Sequence, residues 1–444
     1  MMELLTGLAG RCGAIADADG RTPFTELAQR ARRMAGCLAR DHGAGPGSFI
    51  YFLAPESAGL VAAVAAADLL GATACVLNPL SSPDELSSLF ARLPPGLLIS
   101  KRGSGIALDS LESSGAEPSQ SAVRGRIMIL TTGTTGVPKP VLYEWSRLAS
   151  QVRHGAAPGV WALLYPLNHF AGIQVLLHAL KSGSVLAIPK SRSFPDVWNC
   201  LIEHQVDSAS ASPTFWRTFA GRLDGAAAAR LHLRQITLGG EPATADILER
   251  LRQLFPAARI SHVYATTELG SCFAVHDGLP GFPAVFLERP CGNVELKIHD
   301  GELFVRTAFG MERYADGSPA PPRAGDWIAT GDCVERTGDR VYFRGRVSEI
   351  INVGGVKVSP PLVEQEIRKA PGVREARVFG KSNPVTGQIV AAEIEIAQGA
   401  NGESVLAAIR QACRARLNRY EQPREIHIVD ALERRNEKLA RRSP

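Results

Sequence analysis

Arg126-Ile127-Met128-Ile129-Leu130-Thr131-Thr132-Gly133-Thr134-Thr135-Gly136-Val137-Pro138-Lys139 is the stretch on which the reading of this chain turns. Residues 126–130 read as a short buried strand, and a Gly/Thr turn follows with no spacer. Glycine lets a backbone come close to a ligand and offer its N–H groups, while the threonine hydroxyls and the Lys139 ammonium add donors. A loop of that make-up at the end of an apolar strand suits phosphate oxygens. It departs from the Walker A pattern, because Gly133 and Gly136 stand too close together and Lys139 does not follow a glycine.

Outward from this loop the chain alternates helix and strand. Between residues 22 and 78, apolar positions at helical spacing (Leu27, Ala31, Met34, Ala35, Leu38) exchange with β-rich runs at 49–53 and 74–77. Residues 185–188, 209–212 and 235–238 read as further buried strands and 246–255 as a helix, so a parallel α/β pattern extends to about Ser271. Residues 102–124, rich in Ser, Gly and Glu, read as a loop or weak linker. After Pro290 the texture changes to short alternating strands at 295–298, 302–306 and 340–343, turning at His299-Asp300-Gly301 and Thr337-Gly338-Asp339. From Arg346 a last α+β module begins, with helices at 361–370 and 404–417 and strands at 376–379 and 389–396. The expected fold is α/β: a large N-terminal domain over 1–345, made of parallel α/β subdomains plus a small β unit, then a small α+β domain over 346–444, which the family resemblance described below implies is mobile.

At 444 residues, 45% hydrophobic and 21% charged, the chain sits among soluble multidomain proteins. Its net charge of +5 is small, and much of it gathers near the end (Arg414, Arg416, Arg419, Arg424, Arg434, Arg435, Arg441, Arg442), a local basic face and not a nucleic-acid signature. The eight cysteines form no CxxC pair and read as free thiols of a reducing cytoplasm. The longest apolar stretch, 61–77, contains Asp68 and reads as a buried helix running into a strand, so no membrane span is expected. Neither a GxSxG elbow nor an HExxH motif is present.

Further polar segments follow the loop in order: Gly239-Gly240-Glu241, Tyr264-Ala265-Thr266-Thr267-Glu268, Thr330-Gly331-Asp332, a run from Arg344-Gly345-Arg346 through Ser348 to Gly354-Gly355-Val356-Lys357, and Glu437-Lys438. Each has a plain meaning alone: a helix cap, a turn, a solvated basic tail. In this order they resemble the motifs of the adenylate-forming superfamily, which includes acyl- and aryl-CoA ligases, peptide-synthetase adenylation domains and luciferases. The resemblance covers nearly the whole chain and is weakest over the first hundred residues.

The resemblance implies ATP held by Thr131, Thr132, Gly133, Thr134, Thr135, Gly136 and Lys139 at its phosphates, by Gly239, Gly240, Glu241, Tyr264 and Ala265 around adenine, and by Asp332 and Arg346 at ribose. Thr267 meets the α-phosphate and Glu268 holds Mg²⁺, which prefers hard oxygen ligands. Lys438 bridges the acid and the α-phosphate, Ser348 is the hinge, and Gly354 and Gly355 line a pantetheine tunnel. Ser348 stands where Asp or Lys is more usual, and Glu437 and Pro140 replace customary glycines. The activity implied is formation of an acyl-AMP with loss of pyrophosphate, then transfer to a thiol, coenzyme A or a carrier-protein phosphopantetheine. In relatives the small domain rotates about the hinge between the two steps. The segment Pro166 to Gln174 carries no aspartate to hold a substrate ammonium, so an aryl or fatty acid is expected and not an amino acid. His169 with Gly172 resembles the pattern of acyl- and aryl-CoA ligases, with Phe215, Ala265, Phe273 and Val275 as apolar lining. A catalytically degenerate nucleotide-binding protein is the non-enzyme reading.

Overall fold

The structure is a computed structural model that describes residues 1–6, 13–102, 105–111, 125–131, 138–152, 157–432, 434–435 and 438–439. Two sheets with parallel centres carry the N-terminal part. One runs, in spatial order, Gly270–Val275, Arg259–Thr266, Gln235–Gly239, Ser208–Ala211, Val160–Leu163, Val185–Ala187, Ala14–Asp17 and Gly20–Pro23. Its six inner strands are parallel and its two edges antiparallel. The other runs Arg313–Tyr314, Lys139–Glu144, Arg126–Thr131, Thr73–Val76, Phe49–Leu53, Gly96–Arg102 and Gly105–Leu111, with a parallel centre of four strands.

Parallel strands need both faces covered, and the sequence supplies the cover. Helices Phe24–His42, Ala58–Leu69 and Phe170–Ser182 lie in one apolar cluster with inward residues of both sheets, among them Ile15, Ile50, Phe52, Ile127 and Leu186. Ala58–Leu69 is apolar all round because it is buried all round, and Ser57 caps its first turn through Leu60 N at 3.2 Å. Helices Phe194–Glu203, Pro213–Ala220 and Ala245–Leu254 cover the far face of the first sheet around Trp216, Leu238 and Leu251.

A third, antiparallel sheet (Phe282–Pro283, Arg340–Arg346, Trp327–Thr337, Glu302–Thr307, Val294–His299) packs against strand Gly270–Val275 through Phe273, Phe282 and Val341. The last sheet (Val356–Val358, Ile351–Val353, Gly387–Ile396, Val373–Asn383, with Glu425–Ile428 beside Gly387–Ile396) and helices Pro360–Arg368 and Gly402–Arg416 bury a separate core of Val363, Ile367, Val378, Ile394 and Ile409. A large N-terminal unit and a smaller C-terminal one, each mixing helix and sheet, is the α/β class expected.

Two expectations need correcting. Within 102–124, residues 105–111 form a strand antiparallel to Gly96–Arg102; the Ser-, Gly- and Glu-rich residues around it hide it, since an edge strand is held by backbone hydrogen bonds that any residue can make. Strand Val373–Asn383 is far longer than 376–379, because pairing with Gly387–Ile396 carries it across charged residues. The described cysteines are free thiols, and Cys12 lies outside the described residues. No described helix is long and apolar enough to cross a membrane.

Candidate functional site

In parallel α/β sheets, ligands sit beyond the carboxyl ends of the strands, where loops leave for the helices. The expected residues stand at such ends. Arg259–Thr266 delivers Tyr264 to Glu268, Gln235–Gly239 delivers Gly239 to Glu241, Val160–Leu163 leads to His169, and Arg126–Thr131 delivers Thr131. At Tyr264/Ala265 the pairing with Gly270–Val275 shifts register, and a bulge of this kind re-aims the side chains that follow.

Tyr264, Asp332 and Arg346 meet across two sheets. The Tyr264 hydroxyl donates to Asp332 Oδ2 at 2.6 Å, and Arg346 Nε lies 3.1 Å from Asp332 Oδ1. Asp332 is buried and sits on strand Trp327–Thr337 opposite Arg346 on Arg340–Arg346. The turn is held from below: Gly331 N donates to Glu302 Oε1, and Thr330 Oγ1 donates to the Leu303 carbonyl. Burial works against the Arg346 charge, but the negative groups Asp332 and Glu268, with Tyr264 and Glu349 nearby, strengthen it. Burial and the Asp332 charge push the Tyr264 phenol well above its ordinary value, so Tyr264 stays a donor. Its ring stacks on Phe273 and Phe343, with centroids 5.2 and 5.1 Å away.

Two tyrosines that no motif announced hold the Thr267–Glu268 turn. Tyr314 donates to Glu268 Oε1 at 3.2 Å, and Lys139 Nζ lies 5.2 Å from the centre of the Tyr314 ring, which ties the loop lysine to the carboxylate. Tyr143, fully buried, donates to the Thr267 carbonyl at 2.8 Å. Thr267 and Glu268 lie in the tight turn between two antiparallel strands, not at a helix cap. The signal that could have found these tyrosines is their type: a polar-tipped aromatic within or beside an apolar strand needs a partner for its hydroxyl.

Glu241 has a structural task. Its Oε2 accepts from the Thr214 N–H at 3.0 Å and the Thr214 hydroxyl at 2.7 Å, closing the first turn of helix Pro213–Ala220. The neighbouring Gly239 carbonyl accepts from Tyr165 at 2.7 Å. His169 is half-buried at the start of Phe170–Ser182, and Ala265, Phe273 and Val275 lie along adjoining strands. Thr131 Oγ1 is buried with no hydrogen-bond partner among the described residues, at the mouth of the Gly/Thr loop. Thr132, Gly133, Thr134, Thr135 and Gly136 lie outside the described residues. Pro140 pairs with Leu130, and its carbonyl receives the Ala315 N–H, so the missing donor is absorbed in a strand.

Ser348 lies exposed in the single turn Val347–Glu349, directly after the strand that carries Arg346. Gly354 and Gly355 make the exposed turn between Ile351–Val353 and Val356–Val358, both at positive φ, which any side chain would strain. Lys438 is on the short strand Lys438–Leu439, which pairs with Arg434–Arg435 and lies against helix Pro213–Ala220. The chain thus joins Tyr264, Asp332 and Arg346 in one group and Lys139, Tyr314 and Glu268 in another, sets Gly239 and His169 at strand ends, and leaves Gly354 and Gly355 on a solvent-facing turn.

Hard oxygen donors (Glu268, Thr131, Thr267), a buried carboxylate flanked by hydroxyl and guanidinium groups, and an orphaned hydroxyl at the loop mouth fit a magnesium nucleotide. Comparison with known proteins places the chain in a family. Residues 10–314 match the family model of the AMP-binding enzyme and residues 362–438 that of the AMP-binding enzyme C-terminal domain. The chain is 28% identical to a 2-succinylbenzoate–CoA ligase of Bacillus velezensis over 93% of its own length and 90% of the relative's. It is 30% identical to a probable 2-succinylbenzoate–CoA ligase of Mycobacterium tuberculosis over 70% and 80% of the two chains. Its fold matches the solved o-succinylbenzoate CoA synthetase of Bacillus subtilis bound to its acyl-adenylate intermediate, with TM-score 0.76 and 24% identity over 99% and 96% of the chains. With both family models falling in order along one chain, the first of them over more than half of it, the protein belongs to the AMP-binding enzyme family.

Proposed function

We propose that this chain is an AMP-forming acid–thiol ligase that activates an aryl carboxylic acid as its acyl-adenylate and passes the acyl group to coenzyme A. The observation that carries the reading is the Tyr264–Asp332–Arg346 cluster with Glu268 beside it, in a chain whose relatives are named as CoA ligases of an aromatic acid. The acid oxygen attacks the α-phosphorus and pyrophosphate leaves; the thiol then attacks the adenylate carbonyl and AMP leaves. Neither step needs a nucleophilic side chain, so the work is positioning and charge neutralisation. Asp332 accepts from the ribose hydroxyls while Arg346 and Tyr264 hold its carboxylate in place. Glu268, kept in register by Tyr314, would hold Mg²⁺, which supplies neutralisation of phosphate charge. Lys139 and the Gly/Thr loop bind the outer phosphates, Lys438 bridges the acid and the α-phosphate, and His169 borders the acyl pocket. The site works in the cytoplasm, where ATP and coenzyme A are plentiful.

The test is ATP–pyrophosphate exchange over a panel of aryl, fatty and amino acids, followed by thioester formation with coenzyme A. Exchange driven by aryl acids is expected, and none with any acid would overturn the reading in favour of a nucleotide-binding protein without catalysis. A carrier-protein phosphopantetheine is the second acceptor, favoured by the exposed Arg410, Arg414 and Arg416 along helix Gly402–Arg416. Faster turnover with an acidic carrier protein than with coenzyme A would select it.

A further inference from the structure

Four charges meet where the small C-terminal unit touches the large one. Helix Pro213–Ala220 of the large unit carries Arg217, and helix Ala245–Leu254 carries Asp246, whose Oδ2 lies 3.6 Å from Arg217 Nε. From the small unit come Arg368, at the end of helix Pro360–Arg368, and Glu375, on strand Val373–Asn383. Arg217 Nη1 reaches Glu375 Oε2 at 3.2 Å, and Arg368 Nη1 reaches Glu375 Oε1 at 3.1 Å. Glu375 is almost fully enclosed, with a side chain 4% exposed, against 12% for Arg368 and 20% for Arg217. The Asp246 carboxyl is held below its ordinary value: partial burial opposes this, and Thr244 with the positive charges of Arg217 and Arg368 outweighs it. Glu375 therefore faces one arginine from each unit, while the exposed Asp246 pairs with Arg217 and feels the charge of Arg368.

The division of charge matters more than the number of bonds. Removing one partner from an enclosed ion pair is expensive, because the other is left desolvated and unpaired. Here each unit brings one arginine and one carboxylate to the contact: Arg217 keeps Asp246 when the units part, and Arg368 keeps Glu375. Separation breaks the cross bonds and strands no charge. Such an interface holds firmly at contact and still lets go, unlike an apolar one that would expose its core. The same helix that carries Arg217 also lies against the strand of Lys438, so the contact holds the orientation in which that lysine is on the large unit.

We propose that Arg217, Asp246, Arg368 and Glu375 form a reversible interdomain latch that stabilises the acid-activating orientation of the small domain and sets how readily it leaves for the thiol step. These are positioning residues, and the inference rests on the two-step reading above.

Arg217→Met, Glu375→Gln and the double variant test it, with wild type alongside. Arg217→Met leaves the small domain's own pair intact, so it reports on the latch even if Glu375→Gln melts early. Acid-dependent pyrophosphate exchange should fall about 5- to 50-fold, as for a coupling between sites, while thioester formation from supplied acyl-adenylate holds or quickens. The double variant should match the worse single one, and KM for the acid should not move. Proteolysis at the Val347–Glu349 turn, which needs no turnover, should be faster in Arg217→Met. Equal loss in both half-reactions, additive losses in the double variant, a higher KM for the acid at an unchanged half-reaction ratio, or unchanged cleavage at the turn would each overturn the latch. Absence of exchange in wild type would instead sink the functional reading, and the cleavage rate would still judge the latch.

Discussion

Asp332 shows how much one carboxylate can carry. It is buried, it accepts from Tyr264, it pairs with Arg346, and it is the group proposed for the ribose hydroxyls. Asp332→Asn keeps the shape and the Tyr264 contact but removes the charge. Charge-assisted hydrogen bonds are worth roughly 1.5–3 kcal/mol each, so KM for ATP should rise about 10- to 100-fold. Steady-state kinetics at saturating acid would check this, and an unchanged KM would remove Asp332 from the nucleotide site. Thr-Gly-Asp was readable as a motif, but its supports were not. Glu302 under Gly331, Tyr314 beside Glu268 and Tyr143 on the Thr267 carbonyl come from distant parts of the chain, and each is a contact that only the folded backbone creates.

At the scale of elements, helix Phe170–Ser182 is seated by a close approach. A Cβ on Gly172 would overlap the carbonyl oxygen of Pro166, so this helix can start beside its own loop only if that position is glycine. Gly172→Ala should cost about 1–3 kcal/mol, the usual range for overpacking, and should displace His169; a lower melting temperature with a raised KM for the acid is the expected pair of changes. Unaltered melting would show that the loop yields. A buried imidazole and a half-buried one give a second prediction. Burial holds His262 on strand Arg259–Thr266 below its ordinary value, against the opposing Leu279 carbonyl and Asp277, and burial then Lys181 does the same for His178 on Phe170–Ser182. Both are neutral when folded, while in the unfolded chain they take up protons near pH 6.5. Their stabilisation is therefore complete above that pH, and it is lost as pH falls from there toward the depressed folded values. Melting temperature should drop between pH 7 and 5.5, and a His178→Gln, His262→Gln double variant should flatten the slope. A slope unchanged by the substitutions would assign it to other groups.

For the whole molecule, the question is how two units with separate cores share one reaction. The small unit has its own apolar cluster and meets the large one through polar contacts, among them the Arg217–Glu375 pair. The chain between them is the short exposed turn Val347–Glu349. Proline fixes its own φ and constrains the residue before it, so Ser348→Pro should hold the domains in one orientation. Pyrophosphate exchange should stay within about twofold of wild type, whereas the thiol step should slow by about tenfold or more. Single-turnover measurement of each half-reaction separates the two, and equal rates for both would relieve Ser348 of a hinge role.

The sequence by itself determined the class of fold, the order of the motifs and the family. Strand and helix periodicity is local, and glycine, threonine and acidic residues at fixed spacing are meaningful before anything folds. It could not determine that residues 105–111 add a strand, that Glu241 spends its carboxylate on Thr214, or that Tyr314 and Tyr143 hold the Thr267–Glu268 turn. Nor could it reveal that Arg217 faces Glu375 across 158 positions of chain. These depend on which surfaces meet when the sheets stack and the small unit docks, and the partners of a buried polar group are chosen by that packing and not by neighbours in the chain.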